Sequence, residues 1–91
     1  MNSLAILGLA AAALTSLSFI PQVVKTIRTG DTSSISLFMY SMFTVGVFCW
    51  LIWGYIERQL PVFLANGLTF ALASVILTMK INAVVRHKEK P

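Results

Sequence analysis

Charge is what this sequence has least of. Ten of its 91 residues are charged, 11%, and only three of those are acidic: Asp31, Glu57 and Glu89. A soluble domain carries about 25% charged residues. Histidine occurs once, as His87 near the C-terminus, and cysteine once, as Cys49. These absences exclude much. No Ser-His-Asp set, metal-ligand cluster or phosphate-cradling glycine loop can be assembled, so neither an enzyme nor a cofactor-dependent protein is expected. A lone cysteine has no partner in the chain, and its default role is packing.

What fills the space is apolar: 57% of the residues. A small soluble domain buries only about 60% of the surface its unfolded chain exposes, too little to hide so much hydrocarbon, so lipid is the expected solvent. The charges leave three free stretches, residues 1–24, 32–56 and 59–79. Each is long enough for a helix to cross about 30 Å of hydrocarbon, which takes about 20 residues. The expected architecture is all-α: one domain of three transmembrane helices over about 4–27, 35–56 and 61–79, followed by a short basic tail. The first stretch has no basic residues before it and an apolar run too long for a signal peptide, so it is expected to remain as a helix.

The net charge of +4 is a topology signal, with no basic face to suggest nucleic acid. Lys25 and Arg28 follow the first helix, and Lys80, Arg86, Lys88 and Lys90 follow the third, while Arg58 alone lies between helices two and three. Basic residues collect on the cytoplasmic side, which places the N-terminus outside and the C-terminus inside. Gly30 is suited to end the first helix, the oxygens of Asp31 to Ser34 to start the second, and Pro61 to open the third. Small residues at helix-packing spacing (Gly8, Ala12 and Ser16; Gly46 and Gly54; Gly67 and Ala71) suggest close helix contacts.

No acid or histidine lies inside a span, which argues against a proton relay. The polar residues that remain there are neutral. Trp50 lies seven residues before Glu57 and Asn66 seven after Gln59, so on adjacent antiparallel helices both are about 10 Å from the outer turn. An aromatic face level with an amide suits a sugar, which stacks its C–H face and hydrogen-bonds through its hydroxyls. Packing by Trp50 and helix-to-helix bonding by Asn66 would use the same residues. Pro21 leaves the Leu17 carbonyl without its helical donor, which makes Pro21-Gln22 either a static kink or a hinge. Trp53 and Tyr55 sit where an aromatic belt would.

The segments Phe19-Ile20-Pro21-Gln22-Val23, Lys25 to Thr29 and Thr32 to Ser36 resemble a PQ-loop motif. With Met39-Tyr40-Ser41-Met42-Phe43, the Gly46 to Gly54 run around Trp50, and Leu64-Ala65-Asn66, the ordered set from about Leu4 to Met79 is similar to the bacterial SemiSWEET sugar transporters. That resemblance implies a bundle with helix order 1-3-2, a parallel homodimer in the bacterial inner membrane, and passive alternating-access transport of a mono- or disaccharide. It further implies sugar contacts at Trp50 and Asn66, a hinge at Pro21, and a cytoplasmic gate at Met39 and Phe43. At the outer gate the family pattern of tyrosine, arginine and acid is not kept. Trp53, Glu57 and Gln59 stand there, with Arg58 displaced by one. A non-transporting membrane subunit, or a PQ-loop carrier of another metabolite, is the alternative reading.

Overall fold

The computed structural model describes residues 2–91. It has three helices, α1 (Ser3–Thr29), α2 (Leu37–Ile56) and α3 (Leu60–Val85), each long and apolar enough to cross a membrane. α3 runs six residues past its expected end at Met79. Lys80 is itself a good helix former, and no glycine or proline interrupts the residues that follow it to Val85.

Local chemistry sets each boundary. The Asn2 side chain caps α1 by accepting from the Ala5 amide at 2.7 Å. Gly30 ends it in the left-handed region at φ 68°, its amide donating to Thr26 at 2.9 Å. The cap of α2 falls later than the Asp31 to Ser34 expectation. Ser36 supplies it, accepting from the Met39 amide at 3.3 Å, while Asp31 closes a local turn by accepting from the Ser33 amide at 2.9 Å. The outer turn is three residues, Glu57 to Gln59, with Arg58 held at φ 54°; Pro61 lies in the first turn of α3.

α3 packs against both α1 and α2, whereas the α1 and α2 backbones do not approach each other closely. The helix order across the protomer is therefore 1-3-2. Its Cα extents are 51 × 24 × 14 Å, a slab wider than it is deep. A slab has little interior: among the apolar side chains of the described residues only Val23, Val47, Ala73 and Ile76 are buried. The rest of the apolar surface faces lipid or a neighbouring molecule.

The small residues act unequally. A Cβ added at Gly54 would sit 3.0 Å from the Phe63 backbone nitrogen and 3.1 Å from Val62, so here α2 and α3 approach to backbone contact. A Cβ at Gly46 would meet nothing within 4 Å. Gly46 borders open space, not a helix contact.

The end of the bundle that holds the α1–α2 loop and the tail carries an arrangement that local sequence did not signal. Lys80 is fully buried, so it is not a free basic residue of the tail. Its ammonium donates to the Thr32 carbonyl at 3.0 Å and to Glu89 Oε1 at 3.2 Å. Glu89 in turn accepts from the Thr32 amide at 3.0 Å and from the Thr32 hydroxyl. The chain reaches this position because α3 ends in a reversal. His87 stands at φ 58°, where glycine is usual, and the amides of His87 and Lys88 donate back to Val84 and Ala83 at 3.0 and 2.9 Å. The Pro91 carbonyl then accepts from the Leu37 amide, one of the unpaired donors at the start of α2, at 2.9 Å. Loop, helix end and tail form one clasp.

Candidate functional site

α2 presents Phe43, Gly46, Val47 and Trp50 along one stripe, since these residues fall at i, i+3, i+4 and i+7. Two hollows share that stripe. One, of about 570 Å³, is lined by Gly46, Cys49, Trp50 and Trp53. The other, of about 320 Å³, is the place where all three helices converge: Thr15, Ser16 and Phe19 from α1, Phe43 and Val47 from α2, and Ala65, Asn66 and Thr69 from α3. Trp50 lines the first and Asn66 the second, and the two hollows share no lining residue. Six residues separate Trp50 from the end of α2 and six separate Asn66 from the start of α3, so both lie about 9 Å below the outer turn.

The side chains there are available for contact. Trp50 is more than half exposed, at 56%, and stands edge-on to Trp53 with ring centroids 5.5 Å apart. A T-shaped contact of this kind is a favoured aromatic geometry, and the exposure of Trp50 leaves indole surface available to a ligand. The half-buried Asn66 donates one N–H to the Val62 carbonyl at 2.9 Å, which fixes the amide and leaves its carbonyl oxygen free to accept. An aromatic surface, an oriented amide and flanking hydroxyls, with no charge among them, suit a neutral polyhydroxylated ligand.

The other expected residues are spread along this axis. Met39 and Phe43, one turn apart, lie toward the N-terminal end of α2, exposed at 70% and 44%, with Phe43 in ring contact with Tyr40 at 5.7 Å. Pro21 and Gln22 are exposed inside α1, which continues as helix through them. Trp53 is beside Trp50, whereas Glu57, Arg58 and Gln59 form the outer turn. Among the described residues Lys80–Glu89 is the one ion pair, so Glu57 and Arg58 are unpaired within the protomer.

The comparisons with known proteins bear on this arrangement. The PQ loop repeat family matches residues 4–63. A SemiSWEET sugar transporter of Leptospira biflexa is 41% identical over 76 residues, covering 84% of this chain and 89% of that protein. A SemiSWEET sugar transporter of Escherichia coli is 40% identical over 88 residues, covering 96% and 99%. This chain belongs to the SemiSWEET group of the PQ-loop family. The fold agrees: a crystal structure of SemiSWEET in the inward-open conformation superposes with a TM-score of 0.87 at 40% identity, covering 96% of this chain and 95% of that one. A crystal structure of a bacterial homologue of SWEET transporters gives 0.78 at 31% identity, covering 89% and 98%. Family membership and three apolar helices make it an integral membrane protein.

Proposed function

We propose that the protein carries a small sugar, such as a hexose or sucrose, passively across the membrane by alternating access in a parallel homodimer. The observation that carries this reading is the half-site: Trp50 on α2 and Asn66 on α3 stand at one depth, each lining an open hollow. A protomer 14 Å deep encloses no channel, so a second copy facing the same stripe would complete the pathway. Copies with three spans and the same charge bias insert the same way up, which makes the two-fold axis parallel to the membrane normal. The names of the relatives, sugar transporters, support the substrate class.

The residues divide the work by depth. Trp50 stacks on the sugar ring and Asn66 bonds its hydroxyls; Met39 and Phe43 close the cytoplasmic side, and Trp53 narrows the outer side. Pro21, with Gln22 beside it, is the flexible point of α1. Without an acid or histidine in any span there is no proton relay, so flux follows the sugar gradient. The exposed basic residues Lys25, Arg28, Arg86, Lys88 and Lys90 against Arg58 support a cytoplasmic C-terminus in the bacterial inner membrane, even with Lys80 removed from the count.

Sugar counterflow into proteoliposomes containing only this protein tests the reading. Uptake in the wild type, lost in both Trp50→Ala and Asn66→Ala while the dimer persists, is the expected result. Normal uptake in both variants would leave them as packing residues, and no uptake in the wild type would favour a non-transporting subunit.

A further inference from the structure

α1, α2 and α3 contain six threonines, and five of them close the same local bond. Thr15, Thr26, Thr29, Thr44 and Thr78 each donate the hydroxyl to the carbonyl four residues earlier, at 2.8–3.0 Å. This is the ordinary fate of a threonine hydroxyl in an apolar helix, where no water is present to take its place. Among the described residues Thr69 alone makes no such bond. Its half-buried side chain lines the three-helix hollow together with Asn66. A hydroxyl left uncommitted beside Asn66 in a largely apolar hollow is one that a ligand can use as both donor and acceptor.

Its position gives that availability a meaning. Thr69 is three residues after Asn66, one turn along the same face of α3 and about 4.5 Å further toward the cytoplasm. Counting in the opposite sense on antiparallel α2, Asn66 is level with Trp50 and Thr69 with Val47. Phe43 lies one turn deeper still. Thr69 thus stands between the level of Trp50 and Asn66 and the level of the cytoplasmic gate, where the facing α2 residue, Val47, is apolar and buried. Asn66 has one N–H committed to Val62 and offers chiefly an acceptor.

We infer that Thr69 is a specificity-determining residue of the sugar site, its hydroxyl meeting a second sugar hydroxyl one turn below the one bound by Asn66. This rests on the sugar-transport reading above. It adds that recognition extends along α3 as a donor–acceptor ladder, so the site distinguishes sugars by hydroxyl pattern as well as by ring stacking. In a two-fold dimer the two Thr69 hydroxyls face the pathway from opposite sides and form a last polar step before the Phe43 level.

The test is transport of glucose and its monodeoxy analogues in proteoliposomes, or of sucrose and its monodeoxy analogues if sucrose is the sugar carried. Thr69→Val keeps the shape and removes the hydroxyl; Thr69→Ser keeps the hydroxyl. Thr69→Val is expected to raise the half-saturating concentration about three- to tenfold, the loss of one neutral hydrogen bond, with Thr69→Ser near wild type. One deoxy analogue, poor for the wild type, should be carried by Thr69→Val as well as the parent sugar. Thr69→Ala reports the same loss of discrimination if the valine variant folds poorly. Unchanged half-saturation and unchanged ranking of all analogues in the variants lacking the hydroxyl would overturn the inference. If Asn66→Ala and Trp50→Ala are silent as well, the sugar site itself is misplaced; if they abolish transport while Thr69→Val is silent, only the role of Thr69 falls.

Discussion

The ammonium of Lys80, the largest fully buried side chain in the protein, lies 3.2 Å from Glu89, a tail residue nine positions later. Between them they hold Thr32, so the loop after α1 and the end of α3 are fastened at one point. Lys80 lies about 30 Å along α3 from its start at Leu60, a length of helix equal to the full hydrocarbon thickness.

Removing one member of this pair is expected to cost more than removing both. Glu89→Ala strands a buried ammonium with only the Thr32 carbonyl as partner, whereas Lys80→Met with Glu89→Gln fills the space with neutral groups. Thermal unfolding of the detergent-solubilised protein should show a lower midpoint for Glu89→Ala than for the double variant. Equal midpoints would mean that Lys80 finds water once Glu89 is gone. His87→Gly, which relieves the left-handed backbone that turns the tail back, should stabilise the clasp by about 1 kcal/mol.

The clasp also has a pH signature. The hydrogen bond from the Thr32 hydroxyl, helped by Lys80 and by the Thr32 amide, holds the Glu89 carboxyl below its ordinary value. A carboxylate whose folded value is depressed contributes stability that is full above its unfolded value, about 4.3, and is lost as pH falls through the lower folded value. The tail should therefore remain docked at pH 5 and release only below the usual carboxylate range. Hydrogen exchange at the Thr32 amide, which donates to Glu89, would report this. Release near pH 6 would contradict the assignment.

Gly54 and Gly46 should part company on substitution. An alanine methyl at Gly54 pushes on the Phe63 backbone, which cannot move without shifting α3, and overpacking of this kind costs about 1–3 kcal/mol. At Gly46 the same methyl meets nothing in the protomer but enters the hollow lined by Trp50. Gly54→Ala is expected to lower the unfolding midpoint with sugar selectivity retained. Gly46→Ala is expected to keep the midpoint of the protomer and to alter transport. The reverse pattern would place the helix seam at Gly46.

Much of this was legible in the sequence, for identifiable reasons. The three helices follow from charge-free runs, and the common depth of Trp50 and Asn66 from counting back to a short turn, which needs only the helical rise. The hollows were not legible, because which of Gly46 and Gly54 meets a helix depends on α3 lying between α1 and α2. Lys80 misled for a similar reason. A basic residue at the end of an apolar run reads as a solvated charge, and nothing local reveals that a tail acid nine residues on will fold back over it. The signals that existed were modest: apolar residues continuing to Val85, and an acid in an otherwise basic tail.

The clasp and the proline together lead to the last prediction. Fastening Thr32 to Lys80 and Glu89, with Val23 buried, ties the C-terminal segment of α1 after Gln22 to α3. The segment before Pro21 has no comparable polar tether among the described residues. Between them Pro21 leaves the Leu17 carbonyl without its helical donor, removing a restraint on bending at the junction of a fixed and a freer half. In the proposed passive carrier, with no titratable relay, thermal motion alone would drive exchange between inward- and outward-open states, so those states would differ by only a few kcal/mol. Pro21→Ala restores the donor, stiffens that junction and is expected to favour one state. Counterflow should slow several-fold while the equilibrium affinity for sugar changes much less, and an imposed proton gradient should drive no accumulation in either form. A wild-type rate in Pro21→Ala would make the proline architectural, because a residue acting on the conformational step must change rate before affinity. Accumulation against a sugar gradient on acidifying the outside would overturn the passive mechanism, since it requires a proton-binding group that none of the three spans supplies.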